Sequence, residues 1–119
     1  MSSVQKVVLI PRYSSLTGPH TYRFAPVNVR DFAKADLTAW RGVLAGTDAL
    51  FSVFLEESID LVLWNEVLDS SMAPSAGTEA VASCELELPW VRAVVDLSAP
   101  ITDCAVTCWM VGNFTLRDR

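Results

Sequence analysis

The sequence predicts an all-β fold, a single-domain antiparallel β-sandwich of jelly-roll-like type spanning residues 1–119, with about seven to eight strands. Three observations lead there. Apolar and polar residues alternate with a period of two through much of the chain, most clearly in its second half. Short stretches rich in Pro, Gly, Ser and Asp separate the alternating runs at fairly regular intervals. No long segment keeps the helical spacing of an amphipathic helix.

The elements follow in order. QKVVLIPRY reads as the first strand and TYRFAPVNV as the second, broken at Pro26. In VRDFAKADLTAWRGVLA, Phe32, Leu37, Trp40 and Leu44 do not hold a helical spacing. Asp31 could still cap a short turn at DFAKA, so at most one helical turn is expected there. ALFSVFLEE is a strand after the turn at GTD, and SSMAPSAGTEA, residues 70–80, is a loop and the expected mobile segment. AVASCELEL and VRAVVDL both alternate. Pro89 between them cannot donate a ladder hydrogen bond, so it marks either a tight connection or a bend in one edge strand.

TDCAVTCWMVGNFTLRD is the last strand, and a long one. Cys104, Val106, Cys108, Met110, Gly112, Phe114 and Leu116 share one face, which is expected to be dry. Ala105, Thr107, Trp109, Val111, Asn113, Thr115 and Arg117 share the other. That mixture of Trp109 and Val111 with polar neighbours suggests partial covering by another subunit.

A chain of this length supports one core and leaves nothing for a second domain. The hydrophobic fraction of 51% is high for so small a protein. Either the core is unusually complete or a partner covers part of the apolar surface. A net charge of −5, with nine basic residues scattered along the chain, argues against nucleic acid, which needs clustered Lys and Arg. The opening MSSVQKVVLIPRY has neither the long apolar run of a membrane span nor the pattern of a signal peptide. Synthesis in the cytoplasm and no membrane association are therefore expected.

The chemistry-bearing residues are few. Cys84, Cys104 and Cys108 make an odd count, expected as buried thiols. Cys104 and Cys108 would lie roughly 13 Å apart on one strand face, too far to bridge. His20 is the only histidine, so a two-histidine metal site is excluded. No glycine-rich phosphate loop and no nucleophile elbow is present. Glu56, Glu57 and Asp60 in FLEESIDLVLW could supply a pair of carboxylates, for hydrolysis or for a cation. Glu56 and Glu57 are adjacent in a strand and leave by opposite faces, so only one of them can join Asp60. The simpler expectation is that these acids keep a hairpin end wet and satisfy its N–H groups. Of Trp40, Trp64, Trp90 and Trp109, Trp90 beside Pro89 is the one expected to be exposed.

The pieces YRFAPVNVRDF, LTAWRGVLAGTDALFSVFLEESIDLVLW, WVRAVVDLS and VTCWMVGNFTLRD, in that order over residues 20–119, resemble small β-sandwich or jelly-roll virion proteins of tailed bacteriophages, of the head decoration or cement type. In such a hairpin Ser-x-Asp-Gly is expected at the turn, whereas here Leu61 follows Asp60. The resemblance implies a protein with no catalytic residue, metal or cofactor, bound as a homo-trimer or homo-dimer to a major capsid or other virion protein. Its acidic surface suits the exterior of the head. The implied contacts are Val4, Val7 and Leu9 near the start, Trp90 and Trp109, and Phe114, Leu116, Arg117 and Arg119 at the end, with the 70–80 loop. A carbohydrate- or receptor-binding module that stacks sugars on Trp90 and Trp40 is the alternative. An enzyme would need a cleft gathering His20, or Glu57 with Asp60.

Overall fold

A computed structural model describes residues 4–99 and 103–117, which form nine strands and no helix. They are β1 (Val4–Gly18), β2 (His20–Arg23), β3 (Val27–Asn28), β4 (Phe32–Arg41), β5 (Leu50–Ser58), β6 (Asn65–Glu66), β7 (Glu79–Glu85), β8 (Trp90–Ser98) and β9 (Cys104–Leu116). The first sheet has the order β1-β9-β4-β7 and the second β2-β8-β5-β6, with β3 also pairing β8. Every pairing between strands is antiparallel. The result is the expected jelly-roll-like sandwich.

Period-two alternation explains the core. Ala35, Leu37 and Ala39 of β4 and Val106, Cys108, Met110 and Phe114 of β9 are buried on the inner side of the first sheet. Val53 and Leu55 of β5 and Val91, Ala93, Val95 and Leu97 of β8 face them from the second. Of the dry face expected for the last strand, only Leu116 is exposed, at the end of the strand. Gly112 lies within that strand, where a Cβ would stand 2.5 Å from the Phe114 ring.

The structure corrects several local expectations. DFAKA forms no helical turn: β4 begins at Phe32, and the alternate burial of Ala35, Leu37 and Ala39 fits a strand between β7 and β9. TYRFAPVNV becomes two short strands that share one edge of β8, with Tyr22 opposite Val95 and Val27 opposite Val91. Pro89 lies in a connection between sheets, since β7 belongs to the first and β8 to the second. Trp90 is half-buried rather than exposed.

The 70–80 segment is not a loose loop. Met72 exchanges two backbone hydrogen bonds with Val53 of β5, at 2.9 and 2.8 Å. Arg41 Nε donates to the Pro74 carbonyl at 2.8 Å, and the Gly77 N–H donates to the Arg41 carbonyl at 2.8 Å. Ser70, Met72 and Pro74 are buried in alternation, so the segment behaves as an irregular strand tying the second sheet to the first. Composition marked it as flexible, but pairing along β5 overrides that preference.

The three cysteines are buried free thiols, as expected. Burial pushes the Cys84 thiol up to about 11, reinforced by Glu57, Asp36 and Asp69. Burial alone raises Cys108 to about 11. Since the thiolate is the reactive form, both should resist a thiol-specific disulfide reagent at pH 8 in the native protein and react promptly in denaturant. Rapid native labelling of either would contradict the burial described.

Candidate functional site

Between β5 and β6 the sequence SIDLVLW builds a small, tightly organised tip. Ser58 is fully buried at the end of β5, and its Oγ accepts the N–H groups of Asp60 at 3.2 Å and Leu61 at 2.9 Å while donating to Asp60 Oδ1 at 3.1 Å. Asp60 Oδ1 in turn accepts the N–H groups of Val62 at 2.9 Å and Leu63 at 3.0 Å. Trp64 Nε1 closes the turn by donating to the Leu61 carbonyl at 3.2 Å. Four successive backbone donors are thus satisfied from within. Leu61 sits at φ 66°, the left-handed region where glycine is usual. The residue that departs from the Ser-x-Asp-Gly pattern therefore occupies the conformation that the glycine would take.

The backbone is satisfied, but the side chains are not covered. Ile59 is 69% exposed, Val62 75% and Leu63 71%. Beneath them Arg92 lies over the Trp64 ring at 4.0 Å and pairs with Glu56 at 2.8 Å. Glu57 leaves by the opposite face, as expected, and accepts the N–H groups of Glu87 and Leu88, both at 3.2 Å. Each of the three acids therefore holds protein structure, and the solvent-facing end of this hairpin is apolar. Sequence reasoning expected the acids to satisfy the turn's N–H groups, as Asp60 does, and to keep the end wet, which exposed Ile59, Val62 and Leu63 contradict. The apolar run Leu61-Val62-Leu63 was the available signal.

The hydrogen bonds from Leu63, Val62 and Ser58 hold the Asp60 carboxyl below its ordinary value of 3.8, with the Leu63 N–H the largest cause. A depressed value in the folded state means stability that is present above the ordinary carboxylate pKa and lost as pH falls through the depressed one. Trp64 fluorescence should therefore change below about pH 4 in the wild type. Asp60→Asn should abolish that acid step; an unaltered step would show that another group causes it.

A second feature lies on the outer face of the first sheet. In β1, Ile10 opposes Met110 and Ser14 opposes Cys108, so Pro11, Arg12 and Tyr13 bulge out opposite Trp109. Tyr13 takes φ 58° there. Its ring meets Trp40 edge-on at 5.7 Å, Trp40 lies nearly parallel to Trp109 at 6.3 Å, and the Arg12 guanidinium covers Trp109 at 4.6 Å. Beside this cluster Val8, Val111, Thr38 and Val81 form one row across all four strands. Val8 and Val81 are 59% and 77% exposed.

The residues expected at contacts divide by burial. Val4 and Leu116 are exposed, and Val7 is half-buried. Leu9, Trp109 and Phe114 are buried within the chain and are corrected to packing residues: Leu9 and Phe114 point into the sandwich, and the bulge of β1 covers Trp109. Arg117 holds its own chain, donating to the carbonyls of Phe32 at 2.9 Å and Leu86 at 3.4 Å. Arg119 lies outside the described residues. Trp40 and Trp90 belong to different sheets, so they form no common stacking platform.

Two depressions stand out among the described residues. An open one of about 770 Å³ has both His20 and Cys104 among its lining residues, but Cys104 is only 4% exposed and the His20 ring packs on Tyr22 at 4.7 Å. The other, of about 610 Å³, has Glu57, Glu66, Asp69, Glu85 and Glu87 among its lining residues together with Lys34. Among the described residues no group of three His, Cys, Asp or Glu is placed to hold a metal ion.

No protein-family model matches the chain, and no curated protein sequence does. Solved structures do. The chain is similar to the 2.6 Å structure of infectious bursal virus derived T=1 particles, with a TM-score of 0.66 and 9% identity over 98% of this chain and 32% of that one. It is similar to the VP2 subviral particle of infectious bursal disease virus with a TM-score of 0.62 and 9% identity, over 98% of this chain and 33% of that one. A family 29 carbohydrate binding module lies further away, with a TM-score of 0.41 and 8% identity over 93% of this chain and 89% of its own. This chain thus spans about a third of the length of the capsid chains it resembles. At these identities the likeness establishes the fold, a β-sandwich of the kind found in viral capsid proteins.

Proposed function

We propose that this protein is a non-enzymatic structural component of a virus particle: a decoration or cement protein on the exterior of a tailed-phage head, which binds major capsid subunits and stabilises the shell as an oligomer. The observation that carries this reading is the 58–64 tip, where apolar side chains stand in water on a backbone already satisfied from within. Such a surface loses little on burial, because no N–H of Asp60, Leu61, Val62 or Leu63 has to give up water for a poorer partner. Exposed apolar groups gathered in one place mark an interaction site. Support also comes from the shared fold with a particle-forming protein and from an acidic surface that suits a shell exterior. Val4 and Leu116 would add contacts beside the tip. Multivalent attachment would make modest individual interfaces sufficient.

The test is sedimentation of the purified protein with candidate capsid shells. Saturable co-pelleting at a fixed ratio of protein to shell subunit is the expected result. A protein that stays in the supernatant with every shell offered ends this reading. The carbohydrate- or receptor-binding alternative draws on Tyr13, which is 63% exposed against Trp40. Saturable shifts in tryptophan fluorescence across a glycan panel would favour it.

A further inference from the structure

The tip and the outer face of the first sheet are complementary. The tip offers Ile59, Val62 and Leu63 around one carboxylate, Asp60. All of the hydrogen bonds that Asp60 accepts within the tip fall on Oδ1, which leaves Oδ2 for a partner. The sheet face offers exposed Tyr13 and the cation Arg12 on β1, whose guanidinium stands over the Trp109 ring at 4.6 Å, with exposed Val81 on β7 at the far edge of the sheet. A guanidinium stacked on a ring can still present its N–H edge to a carboxylate.

We infer that the 58–64 tip of one copy of this chain docks on the Arg12, Tyr13 and Trp40 face of a second copy, with Asp60 meeting Arg12. This deepens the virion reading and rests on it: the tip serves the contact between copies that holds the oligomer together around a shell, and exposed Val4 and Leu116 are left for the shell itself. The two patches differ, so the contact is heterologous: each copy retains one unused tip and one unused face, and repetition gives a ring or an open array. The tip is small, so a single contact is weak and concentration-dependent. A lipid bilayer is the poorer occupant. It would have to take in the Asp60 charge at the centre of the tip, carried by a chain of net charge −5.

The test uses two variants of exposed residues on the full chain, each first checked for an unchanged far-ultraviolet spectrum. One alters the tip, Val62→Ser with Leu63→Ser; the other alters the face, Arg12→Glu with Tyr13→Asn, since Asn tolerates positive φ. In sedimentation equilibrium the wild type should increase in mass with concentration, and each variant alone should remain a monomer. An equimolar mixture should form one-to-one heterodimers and nothing larger, because only one productive pair of surfaces survives. A wild type that stays monomeric at every concentration overturns the inference, as does either variant associating like the wild type, or a mixture that stays monomeric. Tip-dependent capture by shells or by zwitterionic vesicles, without self-association, would assign the tip to those partners and overturn it too. A monomeric wild type that still pellets with shells overturns the self-contact and leaves the virion reading standing.

Discussion

Phe114→Ala should lower the stability of this domain by about 3–5 kcal/mol, the range for removing a buried aromatic side chain. Phe114 is fully buried on β9, the strand between β1 and β4, and meets the Phe32 ring edge-to-face at 5.7 Å. Neighbouring Gly112 has no side chain that could move into the space. A small domain has only about 5–15 kcal/mol in all, so the variant should be marginally folded. Guanidinium denaturation followed by tryptophan fluorescence should show a lower midpoint at an unchanged slope. A variant with wild-type stability and altered association would instead return Phe114 to the contact role that its place in the sequence suggested. Val4→Ala, at a position 60% exposed, should change stability by less than about 0.5 kcal/mol.

Ser70→Ala should cost about 1–3 kcal/mol although it removes one oxygen. Ser70 is fully buried, donating to the Val67 carbonyl at 2.7 Å and accepting the Leu55 N–H at 3.0 Å. On that side the Leu55 carbonyl accepts the Val67 N–H at 2.8 Å, but the Leu55 N–H meets no backbone carbonyl, and the serine hydroxyl stands in for one. Without it a buried donor loses its partner, which costs more than the bond itself contributed. Ser70→Thr, which keeps the hydroxyl, should recover part of the loss. Equal denaturation midpoints for Ser70→Ala and the wild type would show that the Leu55 N–H finds another acceptor.

Much of the fold was legible because β-strands announce themselves locally. The alternation in β9 placed Cys104, Val106, Cys108, Met110 and Phe114 on one dry face, and that is where they are. The same rule separated Glu56 from Glu57. It failed where a residue's partner lies far along the chain. Nothing in SSMAPSAGTEA indicates that Met72 pairs with Val53 or that Arg41 holds Pro74. Asp31 before DFAKA looked like a helix cap until β7 and β9 closed on either side of β4. Trp109 looked available to a partner, since its covering bulge at Arg12 and Tyr13 is almost the whole chain away.

By itself the sequence determined an all-β sandwich, buried thiols of which Cys104 and Cys108 are too far apart to bridge, and a chain without clustered basic residues, because alternation, spacing and charge are properties of neighbouring residues. Only the tertiary structure decided which apolar residues remained in water. Exposure depends on what packs over a side chain, and for Phe114 and Trp109 something does. For Ile59, Val62 and Leu63 nothing does, because Ser58 and Asp60 satisfy the loop's N–H groups within the turn itself and no distant segment packs over it.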